Sequence, residues 1–98
     1  MNISTILNEV GFKEFISLDL ETTGLNVDKD EIIEISAIKF INGIYDSEFT
    51  TLIKPKSQIP KQIIDLTGIS NEMVNGAPLI ESVLDEFILF IDNSIIVA

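Results

Sequence analysis

The chain has 98 residues, of which 46% are hydrophobic, and its mean hydropathy is +0.38, so it holds enough apolar material for the core of one small domain. It contains no cysteine and no histidine, which excludes disulfide frameworks, Cys/His zinc sites, cysteine nucleophiles and Ser-His-Asp catalysis. The formal net charge is −10 and all six basic residues are lysines, so nucleic acid could be held only at a local site, with cations or partner subunits supplying positive charge.

The N-terminal segment, MNISTILNEVGF, lacks a basic flank before an apolar run and lacks a small-residue cleavage pattern, so it is not a secretory signal. Asp92 and Asn93 interrupt the C-terminal apolar run, and no run reaches the roughly 18 residues that a membrane span needs. The lack of cysteine fits a reducing compartment. We therefore expect a cytoplasmic protein that does not contact membranes.

The first predicted strand runs from Glu14 to Glu21 and closes with two acids. Side chains two positions apart share one face of a strand, so Asp19 and Glu21 project together while Leu18 and Leu20 point the other way. Two carboxylates side by side in a half-buried setting repel each other unless a counter-charge lies between them.

Two further β-rich runs follow, at residues 31–41 and 44–53. The dipeptide Asn42-Gly43 separates them, and it predicts a tight type I′ hairpin because both central residues of that turn need a positive φ. These runs and the first strand together predict three antiparallel strands.

Three helices and a final strand are predicted in the rest of the chain. Pro60 begins a short helix that Gly68 ends, and Ser70 caps a helical turn that reaches Val74. A longer helix opens at Pro78. Its apolar positions follow the helical period at Ile80, Val83, Leu84, Phe87 and Ile91, with a solvated face at Glu81, Ser82, Asp85 and Glu86. The closing stretch SIIVA, residues 94–98, is typical of a strand buried on both faces.

The counter-charge for Asp19 and Glu21 is expected to be Mg²⁺ or Mn²⁺, because the sequence offers oxygen ligands without histidine or cysteine. Two carboxylates at a strand end are a partial ligand set for two-metal phosphoryl transfer. The adjacent Thr22, Thr23 and Gly24 could position a phosphate through hydroxyl and backbone N–H groups. A bare Asp-x-Glu at a strand end is more often a pair of solvated acids, and only the surrounding pattern favours the metal site.

That surrounding pattern resembles the DEDD-type 3′-to-5′ exonucleases, which include the proofreading epsilon subunit of bacterial DNA polymerase III and the exonuclease domain of PolC-type polymerases. The resemblance runs from about Phe15 to Ala98 and is carried by DLETTGL at residues 19–25, IIEI at 32–35, LTGIS at 66–70 and SIIVA at the end. It implies an α/β fold with a ribonuclease H-like mixed sheet, truncated after the fourth strand. Residues 1–98 would then be the N-terminal part of a single exonuclease domain.

The resemblance also implies roles for individual residues. Asp19 and Glu21 match the first two metal-binding carboxylates of a site that holds two ions in the complete family. Residues matching the nucleotide-holding positions are Thr22, Thr23, Gly24, Leu25, Leu66 and Thr67. The alternatives are plain core packing for Leu25 and Leu66, and helix C-terminal structure for Thr67. Glu34 either supports the two metal-binding carboxylates or is an ordinary strand acid that faces solvent.

The chain departs from the family pattern after its last predicted strand. Family members continue into a third and a fourth acid and a histidine or tyrosine base, and the only tyrosine here, Tyr45, follows the hairpin turn and cannot match that base. We therefore expect weak Mg²⁺ binding and little turnover from these 98 residues alone. The implied substrate is the 3′ end of single-stranded DNA or RNA, from which nucleoside monophosphates are released, and a replicative DNA polymerase is an implied partner.

Two other hypotheses stay open. The chain could be a non-catalytic remnant or docking fragment that pairs with a partner through its SIIVA strand. Alternatively, Asp19 could be a phosphoryl-accepting nucleophile of the haloacid-dehalogenase type, although that motif has an aspartate where this chain has Glu21.

The predicted sheet places the Glu14 strand between the hairpin strand that begins near Ile32 and a parallel strand that starts at Ser94, reached by a right-handed crossover. The Pro78 helix should cover one face. We expect the other face to expose apolar surface and the fold to be marginally stable.

Overall fold

The computed structural model describes residues 13–98. The strands are β1 (Glu14–Thr22), β2 (Ile32–Ile41), β3 (Ile44–Leu52) and β4 (Ile95–Val97), and the helices are α1 (Lys61–Thr67), α2 (Asn71–Asn75) and α3 (Ile80–Ile91). They form one four-stranded mixed sheet in the order β3-β2-β1-β4, with β1 antiparallel to β2 and parallel to β4. The predicted strand order and the α/β class of the fold are confirmed.

The β2–β3 hairpin turns on Asn42 and Gly43, whose φ values are 53° and 78°. Both are positive, as the predicted type I′ turn requires, because this turn matches the right-handed twist of the flanking strands. The hairpin register pairs Ile41 with Ile44 at the turn and Glu34 with Leu52 at the far end. The sequence therefore placed β2 and β3 correctly to within one residue at their outer ends.

The two short helices begin and end where the sequence predicts. Pro60 is the N-cap residue of α1, and Gly68 ends it in the left-handed conformation, at φ 76°, with its N–H donating to the Ile64 carbonyl at 2.8 Å. Ser70 caps α2 by accepting a hydrogen bond from the Met73 N–H at 3.2 Å.

Helix α3 covers one face of the sheet. Val83 is buried with Ile35 and Ile53, and these three residues form a core cluster. Partly buried side chains packed against it are Leu18, Ile32, Phe49, Ile80 and Phe87. A second cluster joins α1 and α2 to the beginning of β2 and consists of Ile33, Ile59, Ile69 and Val74. The face of β1 that carries Leu18 is therefore the α3 face, and the opposite face carries Asp19 and Glu21.

Two predictions about burial are wrong. Strand β4 is not buried on both faces: Ile95 and Ile96 are 39% and 44% exposed, because within residues 13–98 β4 is an edge strand whose one partner is β1. Leu84 is 44% exposed, since it lies on the side of α3 that points away from the sheet.

Exposed apolar surface is present on both sides of the sheet, since Ile95 is paired with Phe15 on the face opposite α3. It lies on the outer side of α3, at Leu84, Ile88 and Leu89, and on β4. Near the C-terminal end of β1, strand alternation gives the face opposite α3 polar side chains such as Asp19, Glu21 and Ser36.

No helix within residues 13–98 is long and apolar enough to cross a membrane.

Candidate active site

Asp19 and Glu21 lie near the C-terminal end of β1, on the sheet face that α3 leaves uncovered. Asp19 is exposed and Glu21 is half-buried. Leu18 packs on the other side of the sheet, against the cluster of Ile35, Ile53 and Val83, which we call the α3 cluster. The alternation that the sequence predicts thus places both carboxylates on one face, where a ligand can reach them.

The register of β1 against β2 brings a third acid to the same place. Asp19 lies opposite Ser36, and Glu21 lies directly opposite Glu34, which is also half-buried. Directly opposed residues of an antiparallel pair share one face, and like charges in that position destabilise the sheet. A cation or a donor-rich ligand on this face would relieve that repulsion.

A β-bulge ends the regular pairing immediately after Glu21. Glu21 pairs with Glu34 but Thr22 pairs with Ile32, so Ile33 is the extra residue on β2. The bulge lets Ile32 pack into the α3 cluster while its neighbour Ile33, fully buried, enters the α1–α2 cluster. Bulges bend the strand and re-aim side chains, and here the bend falls where β1 leaves the sheet beside its two acids.

The segment that follows, which we call the site turn (residues 22–31), is held by side chains as well as by its backbone. The Thr22 hydroxyl donates to the Gly24 carbonyl at 2.6 Å. The Thr23 hydroxyl donates to Asp30 Oδ1 at 3.1 Å and accepts from the Glu31 N–H at 2.9 Å. The Thr23 N–H donates to the Glu31 carbonyl at 2.9 Å. The donors of Thr23 are thus used inside the turn.

Leu25 stands out from the site turn into solvent. Its side chain is 100% exposed, which rules out core packing for it. It borders a shallow depression of about 260 Å³ whose other lining residues are Thr22, Gly24, Asn26, Val27, Asp30 and Ile32. A fully exposed leucine offers an apolar surface to a ligand.

The other predicted contact residues lie at the C-terminal end of α1. Leu66 is 80% exposed, so it too is not a core residue. The Thr67 hydroxyl donates to the Ile63 carbonyl at 2.8 Å and accepts from the Ile69 N–H at 3.1 Å. Thr67 therefore does what the alternative for it predicted, which is to stabilise the helix end beside Gly68.

The ligand chemistry at Asp19 and Glu21 fits a hard divalent cation, because carboxylate oxygens are the side-chain donors that Mg²⁺ and Mn²⁺ prefer. Within residues 13–98, however, no group of three or more acidic side chains is arranged to hold a metal ion. The metal-binding role of Asp19 and Glu21 stays a prediction.

Comparison with known proteins decides the family. The RNase_T family model, described as Exonuclease, matches residues 16–98. The chain belongs to this exonuclease family. One relative is the PolC-type DNA polymerase III of Thermotoga petrophila, which is 50% identical over 84 residues, covering 86% of this chain and 6% of that protein. Another is the DNA polymerase III subunit epsilon of Aquifex aeolicus, 45% identical over 85% of this chain and 41% of that protein.

Solved exonuclease structures share the fold. The nuclease domain of 3′hExo, a DEDDh family member bound to rAMP, superposes with a TM-score of 0.72 at 23% identity, over 85% of this chain and 46% of that one. Exonuclease X in complex with 5′ overhanging duplex DNA superposes with a TM-score of 0.66 at 29% identity, over 74% of this chain and 42% of that one. The resemblance to DEDD exonucleases and the ribonuclease H-like sheet are therefore confirmed, and the chain spans less than half the length of these relatives.

No sequence pattern of this exonuclease chain points to Asp30 and Glu31, although both hold the site turn. Asp30 accepts from the Thr23 hydroxyl and, at 2.8 Å, from the Asn26 N–H. The Glu31 carboxylate accepts from the Lys56 N–H at 3.0 Å and from the Ser57 N–H at 3.4 Å. No local motif carries this signal, because the partners of Glu31 lie 25 and 26 residues away.

Proposed function

We propose that this chain provides the first acidic motif of a 3′-to-5′ exonuclease that acts in the cytoplasm and removes nucleoside monophosphates from the 3′ end of DNA or RNA. The observation that carries the proposal is the position of Asp19 and Glu21, side by side on the open face of β1, shortly before the fully exposed Leu25 in the sequence. Membership of the exonuclease family supports this assignment over the haloacid-dehalogenase alternative.

Asp19 and Glu21 would hold Mg²⁺ or Mn²⁺, two ions in the complete site. When bound, such ions favour deprotonation of an attacking water and stabilise the charge that develops on the leaving oxygen. The carboxylates supply the negative charge that retains cations in a protein without histidine or cysteine. Glu34, opposite Glu21, adds to the negative potential of this face.

The first residues of the site turn, 22–25, and the end of α1 would hold the terminal nucleotide. Leu25 and Leu66 are exposed apolar side chains, and they suit the faces of a base and its sugar. The hydroxyl of Thr23 is engaged by Asp30, so its part is to shape the turn, as Thr22 does through the Gly24 carbonyl. Contacts to the nucleotide's phosphate would then come from main-chain groups around Gly24.

We infer a proofreading role beside a replicative DNA polymerase. The relatives that support it are a PolC-type DNA polymerase III and a DNA polymerase III subunit epsilon. The substrate would be a single-stranded 3′ end, because the acids lie on an open face and no arginine is present to grip a duplex backbone.

We further propose that residues 1–98 form the N-terminal part of one exonuclease domain. The support is that the chain covers 46% of the nuclease domain of 3′hExo. Loss of a general base alone typically costs on the order of 10²-fold in rate, so these residues should turn over slowly by themselves.

The test is Mn²⁺-dependent trimming of 3′-labelled single-stranded DNA by the wild type, by Asp19→Ala and by Asp28→Ala. Asp28 is an exposed acid of the site turn, so its removal changes the net charge equally without touching the two carboxylates. We expect slow trimming by the wild type and Asp28→Ala, and none by Asp19→Ala. Equal trimming by all three proteins, or none by the wild type at high enzyme concentration, would contradict the assignment of Asp19.

One observation favours the docking fragment as a second candidate. β4 is an edge strand, Ile95 and Ile96 are exposed, and an exposed edge can pair with a strand from another chain. Size-exclusion chromatography of the wild type and Ile96→Lys separates the two candidates. A discrete oligomer that the substitution dissolves supports docking through β4, whereas a monomer or a polydisperse aggregate does not.

A further inference from the structure

The side chain of Asp30 holds the site turn together through hydrogen bonds. Its Oδ1 accepts from the Thr23 hydroxyl at 3.1 Å, and its Oδ2 accepts from the Asn26 N–H at 2.8 Å. The Asp30 N–H donates to the Asn26 carbonyl at 2.7 Å, so Asp30 also fixes the backbone on the far side of the turn. One half-buried carboxylate thus binds residues on both sides of Gly24 and Leu25.

Gly24 shows how closely the backbone wraps this carboxylate. A Cβ at Gly24 would lie 2.8 Å from the Asp30 carboxyl carbon, and closer still to Oδ2. Any side chain at this position would displace the carboxylate. The absence of a side chain at Gly24 therefore serves the approach of Asp30, and the two residues form one structural unit.

The site turn is tied to the rest of the molecule by the next residue. The Glu31 carboxylate accepts from the N–H groups of Lys56 and Ser57, in the segment between β3 and α1. That segment leads into α1, which carries Leu66. Asp30 and Glu31 therefore link, through successive hydrogen bonds, the two parts of the chain that present the exposed leucines.

We propose that Asp30 is a positioning residue for the nucleotide, which acts by holding Gly24 and Leu25 in place beside Asp19 and Glu21. This inference rests on the proposed exonuclease function. Asp30 does not bind the metal in this account, because its two carboxylate oxygens are already used inside the turn. A pre-organised turn binds a ligand more tightly because its ordering cost is met on folding.

The proposal separates two affinities that a purely structural role would not separate. Loss of the Asp30 carboxylate should weaken nucleotide binding, since the main chain at Gly24 and the Leu25 side chain are no longer held. It should leave cation binding at Asp19 and Glu21 unchanged, because these residues are fixed by the β1–β2 pairing.

The experiment uses ¹H–¹⁵N NMR spectra of the 98-residue chain. Substoichiometric Mn²⁺ reports cation binding as paramagnetic broadening of the Asp19 and Glu21 amides. Thymidine 5′-monophosphate, titrated in the presence of Mg²⁺, reports nucleotide binding as shifts of the Gly24 and Leu25 amides. The variants are Asp30→Ala, Asp30→Asn and the charge-matched control Asp28→Ala, in which the main-chain bond from Asp28 to Asn26 Oδ1 is kept.

We expect Asp30→Ala to weaken nucleotide binding about tenfold or more, because two hydrogen bonds that order the turn are lost. Asp28→Ala should bind the nucleotide as the wild type does. Asp30→Asn should recover most of the affinity, since its amide oxygen can accept from the Asn26 N–H while its amide N–H donates to the Thr23 hydroxyl. Mn²⁺ broadening should be the same in all four proteins.

Two failures are distinguishable. Equal nucleotide affinity in Asp30→Ala and Asp28→Ala, with Mn²⁺ broadening intact, would overturn the role of Asp30 and leave the proposed function standing. A wild type without Mn²⁺ broadening at Asp19 and Glu21 would overturn the proposed function itself. If Asp30→Ala does not fold, Thr23→Val decides, because it removes the hydroxyl that donates to Asp30 Oδ1. Weaker nucleotide binding than in Asp28→Ala, with Mn²⁺ broadening intact, supports the role of Asp30, and equal affinity contradicts it.

Discussion

Gly24 and Gly76 give a matched pair of positions at the residue scale. A methyl group at Gly24 would collide with the Asp30 carboxylate, whereas a Cβ at Gly76 meets nothing within 4 Å and its φ of −95° suits any residue. We expect Gly24→Ala to lower the free energy of unfolding by about 1–3 kcal/mol, as overpacking does, and Gly76→Ala to change it little. Urea denaturation measures both.

The same collision predicts a dependence between two sites. In an Asp30→Ala background the obstacle is gone, so Gly24→Ala should cost much less there than in the wild type. An equal cost in both backgrounds would show that the strain at Gly24 has another origin.

Tyr45 offers a pH-dependent test of the hairpin. Its hydroxyl donates to Glu48 Oε1 at 3.1 Å, and this hydrogen bond, with the negative charges of Glu48 and Asp46, raises the pKa of the phenol above its ordinary value of 10.0. Because the folded-state pKa is the higher one, the bond stabilises the fold below pH 10.0 and is lost as the pH rises through the raised value.

Glu48→Gln should move the pKa of Tyr45 back toward its ordinary value. Ultraviolet absorbance follows this titration without interference, because Tyr45 is the only tyrosine and tryptophan is absent. Glu86→Gln, on the exposed side of α3, is the control and should leave the Tyr45 titration where it was. An unchanged titration in Glu48→Gln would show that the hydrogen bond does not persist in solution.

Sequence reasoning placed the two acids of β1 correctly because strand alternation is a local rule. It left Glu34 undecided and did not consider Asp30. The position of Glu34 opposite Glu21 depends on the β1–β2 register and its bulge, and the role of Asp30 depends on how a ten-residue turn closes on itself. Both are properties of tertiary pairing, which a single residue pattern does not contain.

At the scale of elements, α3 is the helix whose orientation matters most, since it covers the sheet behind the two acids. The helical repeat of its apolar residues alone predicts that Val83 and Leu84 are both buried. The structure separates them, with Val83 buried and Leu84 44% exposed, because the sheet meets only one side of the helix. The short helices were easier to predict, since Gly68 and Ser70 terminate them through local chemistry.

The orientation of α3 predicts an inverted order of mutational cost. Val83→Ala should lower the free energy of unfolding by about 1–3 kcal/mol, because it removes methyl groups from the cluster of Ile35 and Ile53. Leu84→Ala removes more atoms but from an exposed position, and should cost less than about 1 kcal/mol. Chemical denaturation of the two variants that gives the larger loss for Leu84→Ala would contradict the packing.

At the scale of the whole molecule, the strand order β3-β2-β1-β4 and the parallel β4 followed from general rules of connection. The exposure of β4 did not, because an apolar strand does not reveal in its sequence what lies beside it. The molecule carries a net charge of −10, and three of its acids, Asp19, Glu21 and Glu34, lie on one open face of the sheet. A bound cation would lessen the repulsion among these charges, which links the fold to the proposed chemistry.

Anomalous diffraction from crystals soaked in Mn²⁺ tests that link most directly, with Asp19→Asn crystals as the control. We expect a manganese peak in contact with the carboxylates of Asp19 and Glu21 in the wild type, and a much weaker peak or none in Asp19→Asn. A wild-type crystal with no manganese at these carboxylates, or with the two side chains on opposite faces of β1, would contradict it.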